Sequence, residues 1–496
     1  MERERKHGKP DPRERVASGK FGSVDVFGAV KYTFWAMPRS AIPGQPLFSR
    51  EYLVRLILPL VAEQFLAMTI GACDTLMVSS IGEAGVSGVS LVDQFSQLMI
   101  QLFAAFATGG AVVSSQYLGH KDARDACVAA KQLLNLAVIA GLLIIALCVP
   151  FRAQILTKMY GKSEADVLQS AITYFFWVGL SFPFLAVYNS CAALFRSMGN
   201  SKLSLKVSIL MNLTNIGGNA ALIYGAKIGV AGAGIATLAS RLVAAVVMVV
   251  LLCDKDKNII YFDHIFRPEW NGMMVRRILR VGIPSGIENS VFHIGKLVVQ
   301  VFMSGFGTAA IAANAICNTV ASFANIPGSA IGLASVTVVG QCIGADEKAQ
   351  AKRYARVLLR VTYAAMIALA LVILLFAPQI VSVFNISAEA KRLAAGVIRT
   401  CMVGNALIWP LAFTLPNSLR AAGDAKFTMI VSNVSMWLFR VLFSYVIASA
   451  LLRRFPENTG LALYGVWFGM YIDWIFRSVC FVVRFRHGRW LEKRVI

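Results

Sequence analysis

Apolar residues run through this chain in long blocks, and short polar clusters interrupt them at near-regular intervals. Blocks of about 20 apolar residues are long enough to cross a ~30 Å hydrocarbon layer as helices. The pattern predicts twelve such spans. Six fall near 52–80, 85–117, 130–150, 167–195, 203–224 and 229–252. Six more fall near 276–304, 309–341, 354–376, 393–419, 427–450 and 462–484, after the polar stretch "DKDKNIIYFDHIFRPEWNG". The chain thus divides into a basic amino-terminal tail (1–50), an N-lobe (51–252), a linker (253–275), a C-lobe (276–486) and a short tail (487–496). In the first tail, "MERERKHGKPDPRERVASGK" is too charged to build a core and reads as disordered. "VDVFGAVKYTFWAMP" reads as a short interfacial helix. No uninterrupted apolar core of a cleaved signal peptide occurs in 1–40.

The two sets of six repeat one another. "RLILPLVAEQ" opens the first span and "RVGIPSGIEN" the seventh, so that Pro59 recurs as Pro284 and Glu63 as Glu288, each 225 residues on. The same offset carries Gly82 to Gly307, Gln116 to Gln341 and Gly119 to Gly344, while Arg196 recurs as Arg420 after 224 residues. An even number of spans per half keeps both halves in one orientation. The expected fold is therefore an all-α membrane protein of two parallel six-helix repeats, related by an axis along the membrane normal as in secondary transporters.

Composition agrees with this. The 496 residues are 57% hydrophobic, and the mean hydropathy is +0.65. The net charge of +22 is spread over short loops rather than gathered on one domain, which points to anionic lipid headgroups and away from nucleic acid. His120, Lys121, Arg124, Lys131, Lys202, Arg276, Arg277, Arg280, Lys348, Lys352, Arg353, Arg356 and Lys426 all fall on one side. By the positive-inside rule this side, with both termini, is cytoplasmic. Lys158, Lys162, Arg453 and Arg454 are exceptions on the other side. Nine cysteines without a CxxC pair read as small packing residues, not disulfides or metal ligands. "YGKS" at 160–163 is no ATP site, because a P-loop needs glycine where Leu156 stands. HExxH and GxSxG are absent as well, so no enzyme is expected.

The proline-opened first and seventh spans, "DTLMV", "GGAVVSSQYLGHKD", "LFRSMGNSK", "GVAGAGIAT" and "LRAAGDAK" resemble the multidrug and toxic compound extrusion (MATE) family, most closely its bacterial DinF-like branch. The resemblance covers about residues 50–486. It implies a monomer in the bacterial inner membrane that exports cationic or amphipathic small molecules, driven by inward flow of H⁺ or Na⁺ between two six-helix lobes. No cofactor other than the coupling ion is implied.

The candidate chemistry starts at Asp74, in "GACDTLMVSS" near the outer end of the first span. An ionisable group at such depth costs at least ~2.5–3.5 kcal/mol and is a functional hypothesis by default. Counting 1.5 Å per residue along neighbouring spans puts Asn219, Asn215 one turn below it, and Thr237 in the same layer. These four form the expected cation-coupling site, and also the candidate site for Na⁺. The resemblance implies the same layer, but Asn219 stands where many members have a second aspartate. One carboxylate beside two amides suits a proton or a weak Na⁺ site. The carboxylates that the resemblance implies for the C-lobe of the sodium-coupled branch are replaced by Phe292 and Trp409. Asp74 itself falls on Val299 in the repeat, so the role shared by both halves needs no acid there.

Glu63 and Glu288, each four residues after a matched proline, are expected to hydrogen-bond backbone freed by that proline, or to face a substrate cavity together with Asp93, His293 and Lys296. Arg440 and Asp473 are expected to form a buried structural pair. The aromatics Phe175, Phe176, Trp177, Phe182, Phe184 and Tyr188 are expected to pack or face lipid. Two other readings stand beside ion-coupled export: a lipid-linked oligosaccharide flippase and a non-transporting membrane receptor.

Overall fold

The computed structural model describes residues 46–496 apart from 162–163, 264–268 and 456–458, so the expected amino-terminal disorder and interfacial helix lie outside the described residues. Twelve helical spans follow one another. The first six are α1 (Arg50–Ser79), α2 (Glu83–Gly119), α3 (Ala123–Cys148), α4 (Ala165–Ser197), α5 (Ser201–Asn219, continued as a π-helical turn over Ala220–Gly225) and α6 (Val230–Leu252). The second six are α7 (Gly272–Met303), α8 (Thr308–Ala324 and Ile326–Gly344), α9 (Lys348–Ser382), α10 (Ala388–Leu407 and Pro410–Ala421, bent by 55°), α11 (Ala425–Arg454) and α12 (Thr459–His487). A short helix, Arg152–Tyr160, joins α3 to α4 and was not legible in the pattern. No strand occurs among the described residues.

Length and apolarity alone qualify nine of these helices as membrane spans, and ten when the bent α10 is taken as one. The helices α5 and α7 fall short because of what they carry. Ser204, Ser208, Asn212, Asn215 and Asn219 line α5, and Arg276, Arg277, Arg280, Glu288, His293 and Lys296 line α7. Helix starts are set by side-chain caps: Asp122 accepts from Asp125 N at 3.0 Å, and Asn200 from Leu203 N at 3.3 Å. Gly82 and Gly307, one repeat apart, enter α2 and α8 with φ of 107° and 87°, a conformation that residues with a Cβ rarely adopt.

Large side chains such as Phe103, Phe175, Phe182 and Phe195 fill the core of the first half, and all are fully buried. The same core takes in Met274, Ile278 and Val281 from α7. Conversely, Leu53, Leu56 and Leu60 of α1 pack with Ala330, Ala334 and Val338 of α8 and Leu419 of α10. The first halves of α1 and α7 therefore each bury their apolar face against the opposite lobe. Any shift of α1 is felt by both lobes.

At the end bearing the basic loops, the two lobes meet by a reciprocal pair of hydrogen bonds. Gln116 Nε2 donates to the carbonyl of Ala421 at 2.8 Å, and Gln341 Nε2 donates to that of Ser197 at 2.7 Å. Each amide satisfies a carbonyl in the last turn of the other lobe's helix, α10 or α4, which has no partner within its own helix. Small residues let the backbones approach this closely. A methyl group on Gly119 would lie 2.0 Å from the Gln341 carbonyl oxygen, and one on Gly344 would lie 1.8 Å from that of Gln116. Gly344→Ala is therefore expected to push the lobes apart at this end and to cost ~1–3 kcal/mol. Thermal unfolding in detergent checks this, and an unchanged melting temperature would count against the contact.

Candidate functional site

Three helices bring the expected coupling residues together. Asp74 lies five residues before the end of α1, Asn215 and Asn219 are one turn apart on α5, and Thr237 lies on α6. Asn219 Nδ2 donates to Asp74 Oδ1 at 2.5 Å. The Asn215 amide lies 2.8 Å from Asp74 Oδ1 and 3.2 Å from Oδ2, within donating distance when its nitrogen is turned toward the carboxylate. Thr237 adjoins Asn215 at 3.5 Å and donates its hydroxyl to the Ala233 carbonyl. Asn215, Asn219 and Thr237 are buried, and Asp74 is half-buried. Asn219 is the last α-helical residue before the π-turn of α5, and its Oδ1 is buried without a partner.

These residues line a cavity of about 230 Å³ within the first lobe. Asp93 of α2, expected to face a substrate cavity, opens onto this one. Two residues of this cavity were missed by the sequence reading. Tyr174 of α4 lines the cavity together with Asp93 and Thr237. Arg241 lies one turn beyond Thr237 on α6, and its Nη1 donates to Ser181 Oγ at 2.7 Å. A signal for Arg241 was present, since it is a lone arginine in the apolar run "TLASRLVAAVVMVVLL". No group of His, Cys, Asp and Glu side chains among the described residues could hold a metal ion, and all nine cysteines are unpaired thiols.

The remaining candidates lie elsewhere. Glu63 does not bond the backbone near Pro59. It accepts from Ser204 Oγ at 2.9 Å and pairs with Arg196 at 3.6 Å. Glu288 pairs with Arg420 at 2.6 Å and accepts from Thr428 and Ser432 at 3.3 and 2.7 Å. The members match by repeat (Arg196 with Arg420, Ser204 with Thr428), so each carboxylate is neutralised and hydrogen-bonded inside its own lobe. That expectation is corrected because a charged arginine is a stronger partner than a neutral carbonyl freed by a proline. His293 and Lys296 lie on α7, in the other half, and do not line the cavity. The His293 ring meets Phe292 edge-on, with centroids 6.1 Å apart.

Arg440 and Asp473 do pair, at 3.8 Å, but the closer partner of Asp473 is Arg477 at 2.7 Å. Both guanidinium groups lie over the Phe292 ring, at 5.1 and 5.6 Å, and Arg477 also over Phe413. Trp409 stacks on Phe413. The two positions without carboxylates thus belong to an aromatic floor under two arginines. Phe175 and Phe182 of the α4 aromatic cluster are core residues, as expected of packing groups.

The MatE family model matches residues 59–221 and 284–446, one stretch in each half. A Bacillus subtilis protein named as an uncharacterized transporter, YisQ, is 28% identical over 459 residues, spanning 91% of this chain and 96% of its own length. A Thermotoga maritima protein named as a probable multidrug resistance protein, NorM, is 26% identical over 467 residues, spanning 93% and 96%. Among solved structures, MATE in the bent conformation matches with a TM-score of 0.78 at 21% identity, over 89% of this chain and 94% of that one. A MOP superfamily transporter from Pyrococcus furiosus matches with a TM-score of 0.79 at 21% identity, over 88% and 95%.

The ion pairs of the two halves make a direct test of the structural role of Glu288. Arg420→Met would leave its carboxylate charged and buried, at an expected cost of ~3–5 kcal/mol. Adding Glu288→Gln should recover much of that loss. Unfolding of single and double variants in detergent decides it, and additive losses would contradict the pairing.

Proposed function

From a chain that belongs to the multidrug and toxic compound extrusion family, and is therefore a multi-pass membrane transporter and not an enzyme, we propose a proton-driven antiporter that exports cationic or amphipathic small molecules. It works as a monomer in the bacterial inner membrane, with both termini and the basic loops on the cytoplasmic side. Relatives named as probable multidrug resistance proteins support the substrate class.

One observation carries the coupling. Asp74 accepts from the Asn219 amide nitrogen and has the Asn215 amide within reach as a second donor, a setting that suits an ionised carboxylate ready to take up a proton. A bound Na⁺ would need a shell of oxygens there instead. The unpartnered Asn219 Oδ1, the Asn215 amide oxygen and the hydroxyls of Thr237 and Ser96 line the cavity, and the Asn219 amide would have to turn to present its oxygen.

The mechanism follows from hydrogen-bond strength. Bonds to an ionised acceptor are roughly twice as strong as neutral ones. A proton taken up by Asp74 from outside therefore weakens both bonds that tie α1 to α5. Since the first half of α1 packs on the opposite lobe, its release biases how the lobes meet, and drug binding weakens in return. At about 230 Å³ the cavity is smaller than the ~300–1,000 Å³ of drug-sized sites, so the exported molecule sits in the space between the lobes and not inside it. The lobe contact at the basic end closes the cytoplasmic side, so this conformation faces outward.

A second reading, flipping of an anionic lipid-linked oligosaccharide, is favoured by the cationic second lobe, where Lys296, Arg440 and Arg477 outnumber Asp473. The receptor reading has no support once the relatives are named as transporters. Asp74→Asn keeps the shape of the site but takes up no proton. It should reduce efflux of a fluorescent cation to background at normal expression, and unchanged efflux would refute the coupling role. In liposomes an imposed proton gradient should drive that efflux while an imposed sodium gradient should not. Efflux driven by sodium alone would reverse the choice of ion.

A further inference from the structure

Arg241 is a charge that the cycle above leaves unused. The intramembrane carboxylates Glu63, Glu288 and Asp473 are each locked to an arginine within 3.6 Å, and Arg241 belongs to none of these pairs. Its Nη1 is fixed by Ser181, and the guanidinium lines the Asp74 cavity, where its charge acts on both Asp74 and Asp93. A guanidinium held by a hydroxyl and not by an acid keeps its full charge available across the cavity.

We propose that Arg241 selects the coupling ion: it is a permanent internal cation that makes the site exchange H⁺ and reject Na⁺. This rests on the proton-coupled reading above.

The titratable groups facing the cavity are Asp74 from α1, Asp93 from α2, Tyr174 from α4 and Arg241 from α6, and its other polar groups, the three asparagines of α5 among them, are neutral. With both acids ionised and Tyr174 neutral, the site carries two negative charges and one fixed positive one. A proton forms a covalent O–H bond to one carboxylate and needs no shell of ligands. Sodium must give up its water for protein oxygens, and its return is electrostatic. Halving the net negative charge weakens the binding of either monovalent ion by a similar Coulomb energy, but Na⁺ must also offset the loss of its water and is left without net binding, while the O–H bond to the carboxylate still forms. The N–H groups turned toward Asp74 add to the same bias. Arg241 touches no transported group directly, so it acts as a specificity residue through the field in the cavity.

The test uses the full chain purified in detergent and in liposomes, with two readouts. One is the melting temperature as NaCl replaces choline chloride, which needs no transported dye. The other is efflux of a fluorescent lipophilic cation driven by an imposed Na⁺ gradient. Wild type should ignore Na⁺ in both. Arg241→Met and Arg241→Gln should each gain Na⁺-dependent stabilisation, with apparent Na⁺ affinity at least about tenfold tighter, and Na⁺-driven efflux. Adding Asp93→Asn to Arg241→Met returns the net charge to its native value and should abolish the new Na⁺ response. Single variants as indifferent to Na⁺ as wild type would overturn the proposal. So would a double variant as responsive as the single one, or failure of both single variants to fold. A wild-type protein that itself responds to Na⁺ would instead overturn proton coupling, which separates the two failures.

Discussion

A charged side chain in a hydrocarbon layer must be neutralised, hydrogen-bonded or given water, and the placement of every acid in this bundle follows from that constraint. Glu63, Glu288 and Asp473 meet it by contact with arginines, at 3.6, 2.6 and 2.7 Å. Asp424, near the basic end, meets it the same way through Arg484 at 2.7 Å. Asp74 and Asp93 meet it differently, through amides, a tyrosine and a cavity shared with an arginine that does not touch them. Locked charges hold helices together. Unlocked ones can change state at a cost small enough for an ion gradient to supply.

The two-fold repeat separates these roles. What both halves need for packing is duplicated: the glycines entering α2 and α8, the Glu–Arg pairs, and the glutamines that cross-cap α10 and α4. The carboxylate of the proposed coupling site is not duplicated. Asp74 falls on Val299, and the second half builds an aromatic floor beneath two arginines.

The mechanical link between the two roles is α1. Its second half carries Asp74, and its first half packs on α8 and α10 of the other lobe. In the proposed cycle, a change in the contacts of Asp74 at one end is carried to the lobe interface at the other through a continuous helix of 30 residues. A packed interface responds to such a shift by moving between discrete arrangements.

The sequence by itself determined the twelve spans to within a few residues, the repeat, and the depth at which Asp74, Asn215, Asn219 and Thr237 share a layer. Those follow from helical rise and apolar length, which are local properties. It also flagged Glu63 and Glu288 as structural while assigning them the wrong partner, because depth along one helix does not reveal which neighbour's side chain reaches across. Only the tertiary structure decided that Arg196 and Arg420 are those partners, that α1 and α7 pack on opposite lobes, and that Arg241 and Tyr174 enter the cavity. Each is a matter of azimuth between helices far apart in sequence, set by side-chain packing that no single span encodes.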